Sequence, residues 1–199
     1  MKLIFIMGPS GAGKTTLTNF LVKNGQCSLA RHTTTREKRI DDIPGFYRYL
    51  TVDEFKNLKD ENKFLISSFD NIRGYGVLKD DVVGNNVLIN ASYKDIDQII
   101  ELKSEVIVIA LTFKNLEKGI LKRINVDERK HSANDINYRI ESAISDHQKY
   151  FKKIKEHANL IIYTDEVGIE EMCKKALDEV RSSKLHENMS STRRISWRN

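Results

Sequence analysis

The chain has two cysteines in 199 residues, Cys27 and Cys173, far apart and without CxxC or Cys/His spacing. That excludes a disulfide framework and gives no zinc pattern, so both thiols read as reduced, structural residues. No apolar run reaches the 18 residues expected of a membrane helix, and Leu3 to Met7 is too short for a signal segment. A cytoplasmic protein without a membrane partner is expected. Internal repeats and low-complexity tracts are missing. Excess charge is scarce as well. Of the net +5, residues 183–199 supply +3, with Lys184, Arg193, Arg194 and Arg198 against Glu187. The remaining body holds 29 basic and 27 acidic residues, only +2. Nucleic acid is therefore not the expected partner, and 183–199 reads as a basic, disordered tail.

What is present suffices for one domain with a sizeable core, 40% of residues being hydrophobic. "KLIFIM" (2–7) is a continuous apolar run ending at a glycine, as expected of a strand buried on both faces of a parallel sheet. Similar runs recur as "NVLIN" (86–90), "VIVIAL" (106–111) and "LIIYT" (160–164). Helical patterns separate them. Ser132 and Asp135 form a capping-box-like pair, and Ile136, Ile140, Ile144, His147, Phe151 and Ile154 follow at spacings of three or four. Thr51 and Glu54 predict a second helix ending near residue 60. Strands alternating with helices predict an α/β doubly wound parallel sheet with ligands at the carboxyl ends of its strands. Residues 31–83 break the rhythm with short polar and aromatic pieces, and predict a small inserted subdomain that closes over a substrate.

After the first strand comes "GPSGAGKTT", a full match to G-x-x-x-x-G-K-[ST]. Glycines let the backbone turn tightly and approach phosphate oxygens without a Cβ in the way. The residues Gly8, Ser10, Gly11, Ala12, Gly13, Lys14, Thr15 and Thr16 are thus the expected ATP-binding loop of a P-loop NTPase. Main-chain N–H groups and the following helix N-terminus stabilise negative charge. Lys14 is expected on the β and γ phosphates, and the Thr15 hydroxyl on magnesium.

The acceptor side is carried by "TTTREKR", where Arg36 and Arg39 stand three apart. Two guanidinium groups held together need an anion between them, and their planar forks suit phosphate. Tyr47 in "GFYRYL" and Tyr75 in "GYG" accompany them. With "GPSGAGKTTL", "TTR..R", "VDEF" and "YG", the chain resembles the guanylate kinase family over roughly residues 2–180. The resemblance implies one kinase domain (1–182) with an inserted acceptor-binding subdomain (31–83) and a helical lid (124–135). It implies that Arg36, Arg39, Tyr47 and Tyr75 bind the phosphate already on the acceptor. Arg129 and Arg139 would contact the transferring phosphoryl group, with Arg123 nearby.

Where that family reads guanine, this chain has His32, Ile66, Val77 and Ser92. A carboxylate accepts the N–H donors of guanine's edge, and isoleucine accepts nothing. Losing contacts of this kind removes discrimination of roughly 10⁴ to 10⁵ in rate. The strand end Asn90-Ala91-Ser92 instead resembles the ribose 1,5-bisphosphate phosphokinases, which make 5-phosphoribosyl 1-diphosphate with ATP. That resemblance implies transfer to a phosphorylated sugar, with Asn90 and Ser92 at the acceptor. The alternative is a nucleoside monophosphate kinase with altered base selectivity. Asn90 also stands where a magnesium-organising carboxylate is expected, which leaves Thr15 with the phosphates, or Asp80 or Asp81, to serve. Two further classes stay open: a protein-binding scaffold module, which the intact Gly13, Lys14 and Thr15 oppose, and a nucleic-acid end kinase using the tail.

Overall fold

The computed structural model describes residues 1–24, 27–40, 42, 44–69, 73–126 and 133–192. In chain order these form β1 (Lys2–Met7), α1 (Lys14–Lys23), β2 (Ser28–Leu29), β3 (His32–Thr34), β4 (Tyr47–Tyr49) and α2 (Val52–Asp60). There follow β5 (Phe64–Phe69), β6 (Gly74–Leu78), β7 (Asn86–Ala91), α3 (Ile96–Ile100) and β8 (Glu105–Thr112). The last are α4 (Leu116–Val126), α5 (Ala133–His157), β9 (Leu160–Tyr163) and α6 (Ile169–Thr192). Arg129, Ser132 and the middle of the expected lid lie outside the described residues.

Every residue of β1 is buried, so this strand needs partners on both edges and cover on both faces. It sits at the centre of a parallel sheet of order β2-β7-β1-β8-β9. Alternate side chains then feed two cores. Ile4 and Ile6 join Leu17, Leu21, Ile120 and Val180 on one face, whereas Leu3, Phe5 and Met7 join Ile96, Ile99, Phe151 and Ile154 on the other. Phe5 has no exposed surface, and truncating such a side chain costs about 3–5 kcal/mol. The apolar face of α5 serves both cores: Ile136, Ile140 and Ala143 pack into the first, Phe151 and Ile154 into the second.

Between β2 and β7 the chain builds a second sheet of order β4-β3-β6-β5. Helix α2 covers it, opening with the expected capping box: Glu54 N–H donates to Thr51 Oγ1 at 3.2 Å, and Thr51 N–H to Glu54 Oε2 at 2.7 Å. Phe55, fully buried, packs against Phe64 with the ring centroids 4.6 Å apart and the planes tilted by 34°. Two features differ from the sequence expectation. The edge strand β2 is only two residues long and carries no readable period. Helix α6 continues through residue 192, so the first part of the segment expected to be disordered is helical here. Among the described residues, no helix is long and apolar enough to cross a membrane.

Candidate active site

At the carboxyl end of β1 the chain passes so close to β8 that a Cβ on Gly8 would lie 2.6 Å from the Leu111 carbonyl oxygen. Gly13, with φ 93°, turns the loop into α1 through a left-handed conformation that suits glycine. Thr15 and Thr16 are exposed on the first turn of α1. Lys14 folds back over the loop and donates to the carbonyls of Gly8 (2.7 Å) and Pro9 (2.9 Å). Burial of its ammonium lowers its pKa to about 8. Arg139, on α5, reaches Ser10 Oγ at 3.5 Å. Arg123, on α4, borders Gly11 and lines a small cleft with Gly13, Thr16, Thr164 and Met172.

A cavity of about 720 Å³ joins this loop to the second sheet. Gly8, Ser10, Lys14 and Arg139 line one part of it, and Arg36, Arg39, Tyr47, Tyr75, Asn90 and Ser92 line the rest. Strand register explains the gathering. Tyr47, His32, Val77 and Ile66 are direct cross-strand partners and form one row across the sheet. Tyr49, Thr34, Tyr75 and Ser68 form the row two residues along, on the same face. Three of the four positions where guanine readers were sought thus stand side by side.

The β4 edge of this face is cationic, but its cation is already engaged. Arg36 donates to both carboxylate oxygens of Asp42, at 2.7 and 2.5 Å, and lies over the Tyr47 ring at 4.6 Å. Asp42 also accepts from the Tyr49 hydroxyl (2.6 Å) and the Arg39 main chain (2.7 Å). The hydrogen bond from Arg36 holds the Asp42 carboxyl well below the usual carboxylate range. Asp42 thus occupies the Arg36 fork and the Arg39 main chain without bridging the two guanidinium groups. Arg36 lines the cavity without offering its full fork, which corrects the expectation of a simple two-arginine clamp. Among the described residues, no side-chain partner is seen for the Arg39 guanidinium.

Asn90 is also structurally committed. Its side-chain oxygen accepts from Thr18 Oγ1 at 2.8 Å, tying β7 to α1. Its main-chain N–H and carbonyl both meet His32 Nε2, at 3.1 and 3.0 Å, while His32 Nδ1 meets the Ala30 carbonyl at 3.0 Å. A neutral ring protonated on Nδ1 satisfies most of these contacts, donating to Ala30 and accepting from Asn90. Burial, which lowers the His32 pKa, favours that neutral form. His32 thus has no free nitrogen for a substrate. Ser92 Oγ accepts the Lys94 N–H at 3.1 Å, and Ser92 N–H donates to Asp95 Oδ2 at 2.7 Å. Ser92 caps a turn as well as lining the cavity.

Neither Asp80 nor Asp81 takes the place of a strand-end aspartate. Asp81 is paired bidentately with Arg48 (2.9 and 3.1 Å), and neither it nor Asp80 lines the cavity. Among the described residues, no cluster of three His, Cys, Asp or Glu offers a metal cage. The donor set suits a hard cation that arrives with phosphate oxygens and water and takes the Thr15 hydroxyl as its protein ligand. Asp42 and Asp95 were not singled out from sequence. "SYKD" at 92–95 carries the same S-x-x-D signal as residues 132–135, whereas nothing local marks Asp42 as the partner of Arg36.

The guanylate kinase family model matches residues 1–181. The chain belongs to the guanylate kinase family. A guanylate kinase of Clostridium acetobutylicum is 33% identical over 153 residues, covering 68% of this chain and 72% of that protein. One from Mesomycoplasma hyopneumoniae is 44% identical over 84 residues, 41% of this chain and 43% of that protein. One from Bartonella henselae is 33% identical over 103 residues, 49% and 46% respectively. The matched stretch thus spans under half the length of the latter two relatives. The crystal structure of guanylate kinase from Anaplasma phagocytophilum superposes with a TM-score of 0.68 at 16% identity, covering 91% of this chain and 85% of that one. That likeness is one of fold.

Proposed function

We propose that the chain is an ATP-dependent kinase that transfers a phosphoryl group to the phosphate of a nucleoside monophosphate, with base selectivity altered from that of guanylate kinases. The observation that carries this reading is the single cavity joining the phosphate loop to the cross-strand row Tyr47, His32, Val77 and Ile66. At about 720 Å³ it lies within the ordinary range for small-molecule sites. From β4 to β5 the second sheet spans three inter-strand spacings, about 14 Å. A phosphate beside Arg39 and Tyr47, toward the β4 edge, leaves the rest of the molecule to cross Val77 and Ile66, an apolar floor suited to a flat base and ill suited to a second phosphate.

The chemistry follows from position and charge, because phosphoryl transfer needs little covalent help from protein. The main-chain N–H groups of the loop and the start of α1 receive the donor's phosphates. Lys14 exchanges its two carbonyl partners for phosphate oxygens, and Arg139 offsets charge on the transferring group. Arg129 is assigned the same task by family resemblance. The Thr15 hydroxyl would hold magnesium, which would supply charge neutralisation to the donor's phosphates. The acceptor oxygen is ionised at neutral pH, so no general base is required. The test is ³¹P NMR of the protein with Mg-ATP and, separately, GMP, AMP, CMP, UMP and ribose 1,5-bisphosphate. A new diphosphate signal with one or more nucleotides is expected. A signal with the ribose compound alone would reverse the assignment.

A further inference from the structure

One side chain in the turn after β7 reaches both the wall of the phosphate loop and the helix that carries Arg139. Tyr93 is 3% exposed, and its hydroxyl donates to the Leu111 carbonyl at 2.8 Å. That carbonyl oxygen is the atom a Cβ on Gly8 would meet at 2.6 Å, so it is the wall along which the phosphate loop begins. On β8 the Thr112 carbonyl turns to β9, where it accepts the Thr164 N–H at 2.8 Å. Carbonyls alternate along a strand, so the Leu111 carbonyl turns to β1, whose pairing with β8 ends at Met7 and Ala110. The Tyr93 hydroxyl thus meets the sheet where strand becomes loop. Burial pushes the Tyr93 phenol up to about 12, which keeps it a donor across the neutral range.

The other side of the residue belongs to α5. The Tyr93 ring lies 6.0 Å from Phe151 and 6.4 Å from His147, centroid to centroid, and those two rings stack on each other at 4.0 Å. Lys94, the next residue, pairs with Asp146 of α5 at 3.6 Å. His147 stands about two turns beyond Arg139 on the same helix, about 12 Å along its axis. Packing alone does not call for a hydroxyl here, because phenylalanine fills the same space and a buried hydroxyl costs stability unless it is bonded. Tyr93 also lines the cavity, but its hydroxyl proton is committed to Leu111.

We propose that Tyr93 is a positioning residue for phosphoryl transfer, a strut from the Leu111 carbonyl to His147 and Phe151 that fixes the spacing between the phosphate loop and Arg139. The proposal rests on the kinase reading above and adds the residue that holds donor loop and cation in register. The distance at stake is the 3.5 Å from Arg139 to Ser10 Oγ. Misplacement by about 1 Å can cost a transfer reaction about 10²-fold.

The test is steady-state kinetics of a double-mutant cycle in the full chain. Tyr93→Phe keeps the ring and should lower kcat about tenfold with KM for both substrates within about twofold. In an Arg139→Gln background the same change should cost less than about twofold, because the strut then has nothing to place. An equal loss in both backgrounds, or an unchanged kcat, would make Tyr93 a packing residue only. Magnesium-ADP binding with and without aluminium fluoride, a mimic of the transferring group, reads the same spacing by calorimetry without turnover. Tyr93→Phe should weaken the fluoride complex about tenfold and ADP alone by less than about twofold, and equal effects would overturn the proposal. Phe151→Leu slackens the other end of the strut and should show the same split, which keeps the test decisive if Tyr93→Phe does not fold. That split in a protein that phosphorylates no mononucleotide would remove the acceptor reading alone; transfer with an additive cycle would remove this inference alone.

Discussion

Raising the pH should weaken ATP binding through Lys14. Its ammonium, enclosed between the Gly8 and Pro9 carbonyls, titrates at about 8 against 10.5 for an ordinary lysine. Part of the side chain touches solvent, but the charged end is the desolvated part, and desolvation outweighs the two carbonyl bonds that favour the charge. Phosphate bound beside it restores the charged form and raises the pKa. The complex then holds a proton that the free protein loses above pH 8. Affinity should fall by roughly tenfold per pH unit beyond that point, to a limit of about 300-fold at 10.5. Between pH 7.5 and 9.5 the expected loss is about 25-fold, with half a proton taken up per ATP bound at pH 8. Titration calorimetry in buffers of different ionisation enthalpy measures both. For folding the sign is opposite: the unfolded chain binds the extra proton between 8 and 10.5, so this group makes the free protein more stable as pH rises through that window. A flat affinity in the wild type, or the same slope in Lys14→Met, would refute the argument.

Asp42→Asn leaves the Arg36 guanidinium, whose side chain is 6% exposed, beside a neutral amide. The pair is covered but shallow, so the expected loss is about 2–4 kcal/mol in urea unfolding at pH 7. Because the Asp42 pKa is depressed, this contribution is present above the ordinary carboxylate range and fades as pH falls toward the folded value; the variant should show a flatter acid limb. A variant as stable as wild type at pH 7 would show that the pair is not structural. Removing residues 183–199 takes away net charge of +3 and should leave turnover and its salt dependence unchanged. A large loss of activity would revive the nucleic-acid reading.

The main sheet was legible because strands of a covered parallel sheet advertise themselves as apolar runs: β1 is buried throughout, β7 and β8 over most of their length, and β9 keeps the apolar run although only Ile162 is fully buried. The phosphate loop was legible because its chemistry is local, with glycines and lysine at fixed offsets. The acceptor face was readable only in outline. Tyr47, His32, Val77 and Ile66 are scattered over 46 positions, and their alignment depends on register between short strands. The Arg36–Asp42 pair escaped because a carboxylate six residues on in a loop has no periodic relation to its partner. Asn90 was read for its side chain, whereas much of its commitment is through the main chain.

That commitment decides how freely this protein can change its taste in substrates. Where β2 ends, the edge of β7 would lie open, and the His32 ring takes the place of the missing strand by meeting the Asn90 N–H and carbonyl. Residue 32 is therefore a seam as well as a wall of the cavity. A smaller side chain installed there to read a base would expose a strand edge, the kind of surface on which chains pair with one another. A lineage of variants selected for a new acceptor should reach it sooner through Ile66 or Val77 than through His32, and those that alter His32 should first declare themselves as poorly soluble.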